Sequence, residues 1–445
     1  MPPGRSAGPG PIGPLERLLA SRREQFVRDH WGRTPLLVTA SERDAHPKET
    51  AELFSPAAVD DLLTRRGLRT PFLRMAQAGH PLPERDYTIG GGVGAGIGDQ
   101  VDEDAVRRRF DDGATIVLQG LHRTWPPVVD LAQSLAAELG HPVQVNAYVT
   151  PPGHQGFAAH YDIHDVFVVQ VHGAKRWRVH RPVWPHPLRD QPWEQHRAAV
   201  AEAATGDPDL AVELRRGDVL YLPRGYLHSA TASDQISIHL TIGIHTWTRM
   251  HLADALLQQV RRTLAEDVRL RESLPVGIDV GIDPGLDPGL DPGLHMAAEP
   301  PCQPAEAEAE AAVAMVRQAL RRAVDELPAA TIAAALGATA RAAQRPEPRP
   351  VLEQLAAADT LTATDALRLR GHLMATLESS GPDSSAALVV RSRAGRTPVP
   401  AAAQGAVARL LAGEPVRVAE LVPGEEAASG RLARRLVVDG IAVVD

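Results

Sequence analysis

The sequence predicts a chain of mixed α and β structure whose centre is a sandwich or barrel of short β-strands. Three observations carry this reading. From Thr115 to His245, short runs rich in Val, Ile and aromatic residues are separated by Gly, Pro and Asp, the pattern of many short strands joined by turns. Apolar residues at helical spacing gather mainly on either side of that stretch, in "PLERLLASRREQFVRDH" before it and "MHLADALLQQVRRTLAED" after it. One helix, "WPPVVDLAQSLAAEL", interrupts the β region. A chain of 445 residues has room for two or three domains at roughly 100–200 residues each.

Taken in order, residues 1–13 are rich in Gly and Pro and are expected to form a disordered tail. They lack the apolar core of a signal peptide, and no apolar run in the chain approaches the ~20 residues of a membrane span. A cytoplasmic protein without a membrane partner is expected. Residues 14–45 read as helix, then as an extended segment, with Pro35 ending the helical pattern. "TIGGGVGAGIGDQ" (Thr88 to Gln100) reads as a loop; it lacks the register and the preceding strand of a dinucleotide-binding turn. The strand-like runs follow: "ATIVLQGL", "VQVNAYVTP", "DVFVVQVHG", "KRWRVHRP", "LAVELRRGDVLYLPRG" and "QISIHLTIGIH".

From about Thr248 the chain turns helical. A D-P-G-L repeat over Gly281–Leu294 breaks that region, because a Pro every four residues is incompatible with a helix. Ala-rich helices are expected from about Ala305 to Arg345. The last stretch, about Asp359 to Asp445, mixes helices with short strands, and its end, "GRLARRLVVDGIAVV", reads as helix, turn at Gly440, strand.

Composition narrows the function. The net charge of −8 argues against general binding to nucleic acid or membrane surfaces. Arg431, Arg434 and Arg435 suggest a basic helix, but from Ser385 onward eight Arg face six acidic residues. That balance favours packing or peptide docking over phosphate binding. The single cysteine, Cys302, excludes a disulfide framework and a thiolate metal site within the chain. Lys48 and Lys175 are the only lysines in a chain that otherwise uses Arg, so a compact ammonium at Lys175 invites a specific role.

The chemistry concentrates in "HYDIHDVFVVQVHGAKRWRVH" (His160 to His180), which carries four histidines. On a strand, alternation places His160 and Asp162 on one face. A third, non-collinear ligand is expected from "GDVLYLPRGYLHSA", where two turns bring His228 to the entrance of the next strand. Two His and one carboxylate with open positions suit Fe(II) and leave room for a chelating cosubstrate and O2. Lys175 follows the turn at Gly173-Ala174 and returns towards that site as a partner for the distant carboxylate of 2-oxoglutarate. Asn146 and Tyr148, on the preceding strand, share a face and would add polar contacts. His164 has the same parity as Asp162 but lies further along. His154, His172 and His180 are expected in loops or on an outer face, His239 in the core or behind the ligands, and Trp177 in the core.

"NAYVTPPGHQGFAAHYDIHDVFVVQVHGAKRWRVHRP" and "GDVLYLPRGYLHSA" resemble the JmjC-type 2-oxoglutarate oxygenases, specifically the ribosomal oxygenase group. The H-x-D…K spacing matches, and "FVRDHWGRTPLLV" resembles that group's opening segment. The resemblance covers about residues 15–250. It implies a double-stranded β-helix (jelly-roll, cupin) catalytic domain over 14–247, a helical dimerisation region over 248–358 and a winged-helix-like domain over 359–445. It implies His160, Asp162 and His228 as iron ligands, and Lys175 with Asn146 in support at 2-oxoglutarate. The D-P-G-L repeat has no counterpart in that pattern.

The expected activity is therefore Fe(II)- and 2-oxoglutarate-dependent hydroxylation of a protein side chain, with succinate and CO2 as coproducts. The group implies an Arg or His of a ribosomal protein as target, and a homodimer. Nothing suggests a methyl-lysine reader, so demethylation is not the expected reaction. Two other readings stay open: a hydroxylase of another peptide, such as a natural-product precursor, and a catalytically silent cupin acting as a binding or regulatory module.

Overall fold

The structure, a computed structural model, describes residues 13–43, 52–94, 96–274, 303–343, 345–379 and 388–444. Residues 1–12 of the expected tail, Lys48, Cys302 and the D-P-G-L repeat lie outside the described residues. The chain divides into two units, one of residues 1–246 with 343–445 and one of residues 247–342.

In the first unit, the strands before residue 247 are β1 (Leu36–Val38), β2 (Leu73–Gln77), β3 (His80–Pro81), β4 (Thr88–Ile89), β5 (Gln100–Val101), β6 (Thr115–Leu118), β7 (Val143–Thr150), β8 (Asp165–His172), β9 (Ala174–His180), β10 (Leu210–Arg215), β11 (Val219–Leu222), β12 (Leu227–Ala232) and β13 (Ser237–Ile244). They form a large sheet in the order β1-β11-β8-β13-β7-β6-β2-β3 and a smaller one in the order β10-β9-β12. The Gly-rich stretch is the connection between β4 and β5, which pair with each other.

The apolar run of β8 explains its central place. It lies between β11 and β13, antiparallel to both. Phe167, Val169 and Val171 face the main core, which also takes Leu15, Leu19, Phe26 and the helix Pro126–Leu139. Val166 and Val168 face a second core, shared with Trp177, Val179 and Leu214 of the small sheet. A strand covered on both faces needs no polar alternation. The chain passes from β8 to β9, and so from one sheet to the other, through Gly173 at φ +62°. A Cβ there would lie 2.2 Å from the Ile236 carbonyl oxygen, so only glycine fits this turn.

Residues 345–444 of the same unit carry the helices Val351–Asp359, Gln404–Leu411 and Glu426–Val438, with two three-stranded sheets. Their core gathers Leu367, Val407, Leu410, Leu436 and Ile441. The chain's end is helix, a turn at Gly440 (φ +69°) and the strand Ala442–Val444. Arg434 pairs with Asp359 at 2.9 Å and Arg435 with Asp439 at 3.6 Å.

The second unit is helical. Arg249–Glu266 starts at Thr248, whose backbone N–H donates to the His251 ring at 3.0 Å, satisfying one of the free donors of a helix start. Helices Gln303–Glu326 and Ala329–Ala343 follow. On the first of these, Val313, Val316, Leu320 and Val324 are exposed, at a spacing that places them in one stripe. No described helix is long and apolar enough to cross a membrane.

Candidate metal centre

His160 and Asp162 do not lie on a strand. The H-x-D segment precedes β8 as irregular backbone, because the continuous apolar run that sustains the strand begins only after it. Two isolated antiparallel bridges, Gln155↔Thr231 and His160↔His228, dock this segment along β12. His160 and His228 exchange both backbone hydrogen bonds, at 3.2 and 2.8 Å. Directly opposed residues of an antiparallel pair project to one face, and the two imidazoles lie with ring centres 4.5 Å apart. The Gly225 N–H donates to the Asp162 carbonyl at 3.0 Å, which ties the turn before β12 to the same segment.

One ligand atom each from His160, Asp162 and His228 lies within 4.8 Å of the others. Both histidines are held in one tautomer. Nδ1 of His160 lies 2.8 Å from the Ala158 carbonyl, and Nδ1 of His228 lies 3.1 Å from that of Tyr226. A carbonyl only accepts, so each Nδ1 carries the proton and each Nε2 keeps a free lone pair. The His228 Nε2 is 3.8 Å from the Asp162 carboxylate. Burial alone would raise the Asp162 carboxyl, but His164, His228 and His160 outweigh it and hold the group below the usual carboxylate range. Burial lowers the His228 imidazole to about 4. The trio therefore offers one carboxylate and two imidazoles, a donor set suited to a divalent metal. Asp162 keeps 29 % of its side chain open, towards a pocket of about 510 Å³ including its mouth.

Lys175 lines the same pocket from β9. It is 4 % exposed, and its Nζ donates to Thr150 Oγ1 at 2.9 Å. Thr115 Oγ1 donates to Thr150 Oγ1 at 3.1 Å. One neutral hydrogen bond contributes ~1 kcal/mol, less than the several kcal/mol lost on burying an ammonium, and burial lowers the Lys175 amine to about 7. An anionic ligand in the pocket would supply the missing counter-charge. Val166, Val168 and Trp177 form apolar wall around it.

The other predicted residues separate. Tyr148 lines the pocket and stacks on His239, with ring centres 5.0 Å apart and an interplanar angle of 2°; burial raises its hydroxyl. Asn146 is not among the lining residues, and its side-chain oxygen accepts the Gly120 N–H at 3.0 Å. His164 is not among the lining residues; it packs on His245 and lies 3.2 Å from the Gln144 amide. His154 is exposed, His172 half-buried at the end of β8, and His180 buried at the end of β9. His239 and Trp177 are both buried and both line the pocket. Thr150 and Thr115 were not singled out from the sequence; Thr150 shares the parity of Tyr148 on β7, and that spacing was the available signal.

Residues 105–252 match the family described as JmjC domain. The chain is 31 % identical over 294 residues to ribosomal oxygenase 1 of Gallus gallus, covering 62 % of this chain and 46 % of that protein. It is 36 % identical over 139 residues to the bifunctional lysine-specific demethylase and histidyl-hydroxylase NO66 of Drosophila persimilis, covering 31 % of this chain and 19 % of that protein. The chain thus spans less than half the length of these curated relatives. Among solved structures, YcfD, a ribosomal oxygenase from Escherichia coli in complex with cobalt and 2-oxoglutarate, superposes with a TM-score of 0.50 at 16 % identity, covering 96 % of this chain and 99 % of that one. This likeness concerns the fold. The resemblance read from the sequence is borne out at the level of the match: residues 105–252 match the JmjC domain family, and the chain shares its fold with that solved structure.

Proposed function

We propose that this protein is an Fe(II)- and 2-oxoglutarate-dependent hydroxylase of a protein side chain, an Arg or His of a ribosomal protein. One observation carries the reading. A two-histidine, one-carboxylate trio shares its pocket with a buried lysine that donates to a threonine hydroxyl. The first set fits a divalent metal, and the second fits the distant carboxylate of a chelating dicarboxylate. The relatives named as ribosomal oxygenases support the choice of substrate class.

His160, Asp162 and His228 would hold the iron, and Lys175 with Thr150 would hold 2-oxoglutarate. When bound, these groups supply the oxidising chemistry: O2 is consumed, 2-oxoglutarate becomes succinate and CO2, and one oxygen atom enters a substrate C–H bond. The chain's residues do the rest. The carbonyls of Ala158 and Tyr226 keep both Nδ1 protons in place, which would leave each Nε2 to act as the ligand atom. Lys175 would orient the cosubstrate by charge and Thr150 by a hydrogen bond. Val166, Val168 and Trp177 exclude water from the pocket.

The catalytic unit is assigned to residues 14–247, a helical dimerisation region to 248–358 and a winged-helix-like domain to 359–445. The exposed stripe of Val313, Val316, Leu320 and Val324 supports pairing of the helical region with a second copy. The test is mass spectrometry of ribosomal proteins from cells with and without the gene, repeated with purified protein and candidate peptides. A gain of one oxygen atom on an Arg or His, dependent on Fe(II) and 2-oxoglutarate, is expected. Oxygen incorporation only into peptides unrelated to the ribosome would overturn the choice of substrate.

A further inference from the structure

The turn that delivers His228 hangs from a carboxylate that takes no part in the metal trio. Asp165 opens β8, three residues after Asp162, and is 0 % exposed. One of its oxygens accepts the Tyr221 hydroxyl at 2.6 Å. The other accepts the backbone N–H of Arg224 at 3.1 Å and lies 3.5 Å from the Arg224 guanidinium. Arg224 reaches on to the Thr246 hydroxyl at 2.9 Å. Tyr221 ends this chain of contacts on the N-terminal segment, accepting the Gly32 N–H at 2.8 Å and packing edge-on against Phe26.

These contacts all bear on the connection between β11 and β12, residues 223–226. That connection is fixed at two points, by the Asp165 carboxylate at Arg224 and by the Asp162 carbonyl at Gly225. Its next residue, Tyr226, supplies the carbonyl that sets the His228 tautomer. The H-x-D segment is irregular backbone and gains no precision from a ladder of its own. A buried carboxylate bonded to a tyrosine, a backbone amide and a guanidinium is rigid in a way that an exposed pair is not.

We propose that Asp165, with Tyr221, is a positioning residue for the metal centre: it registers the His228 turn against the H-x-D segment, so that the third ligand meets the other two. The proposal rests on the metal reading above. It assigns Asp165 a function beyond neutralising Arg224, which would bear on stability alone.

The test uses the full chain with Asp165→Asn and Tyr221→Phe. Apo protein is titrated with Co(II) and followed by visible absorption, melting is measured with and without Co(II), and amide hydrogen exchange is followed over residues 223–228 of the apo forms. Asp165→Asn is expected to bind Co(II) about tenfold or more weakly, with altered visible bands and faster exchange at the turn. Tyr221→Phe, which keeps the carboxylate, is expected to show the same changes to a smaller degree. If Asp165→Asn does not fold, Tyr221→Phe decides alone. Folded variants with wild-type Co(II) affinity, spectrum and exchange overturn the positioning role and leave the metal reading standing. Wild-type protein that takes up no Co(II) overturns both.

Discussion

The two ends of the pocket are built in opposite ways. Lys175 sits within β9, held by paired strands on both sides: Leu214 on β10 and Ala232 on β12. Its place follows from regular registers and from the glycine turn that precedes it. His160 and Asp162 sit on irregular backbone, held by an isolated bridge and by contacts from one turn. A ladder supplies position through many equivalent hydrogen bonds, whereas an irregular segment depends on a few identifiable ones. The metal end should therefore be sensitive to changes at residues that never touch the metal, and the lysine end sensitive mainly to the lysine.

The largest effect is expected at the metal end. His228→Ala should weaken Co(II) binding by about 100-fold or more, beyond the ~10–100-fold typical of residues behind the ligands. Its turnover of 2-oxoglutarate should fall to background. Calorimetric titration of the apo protein reads the first, and succinate release the second. At the other end, Lys175→Ala should leave Co(II) affinity unchanged and weaken 2-oxoglutarate by about 10–100-fold. That is the loss of a charge-assisted hydrogen bond of ~1.5–3 kcal/mol. If the lysine variant also loses the metal, the two ends are not separable.

The buried amine gives a pH signature. Lys175 lies at about 7 in the folded protein against an ordinary 10.5. Between these values the unfolded chain holds a proton that the folded chain lacks, so this residue makes apo stability rise with pH across that window. The slope is on the order of 1 kcal/mol per unit. Below pH 7 both states are protonated, and the cost of burial is fully present and constant. Lys175→Met should remove the rise; urea unfolding at several pH values checks it. The smallest effect is expected for Thr150→Val, which removes one neutral hydrogen bond to the amine. About a fivefold loss of 2-oxoglutarate affinity follows from ~1 kcal/mol, readable by competition with a dicarboxylate probe.

The same contrast governs what was legible in the sequence. The apolar run of β8, the Gly173 turn and the lysine beyond it announce themselves through pattern, because regular strands follow a two-residue period. So does the C-terminal helix, turn at Gly440 and strand. The H-x-D segment was read as strand by extending that period backwards, yet no apolar alternation supports it there. Asn146 was placed near the cosubstrate by parity with Tyr148 and by the family resemblance. Parity gives a face but not a partner, and the partner is the Gly120 amide, distant in sequence. Asp165 drew no attention, since one aspartate among many carries no signal until the fold sets Tyr221 and Arg224 beside it.

The most direct test of the central claim is succinate formation from 2-oxoglutarate by full-length protein supplied with Fe(II), compared between wild type and His160→Ala. The account predicts Fe(II)-dependent turnover in the wild type, raised by a substrate peptide and absent in the variant. Wild-type protein without turnover under any of these conditions, or turnover that survives His160→Ala, would contradict it.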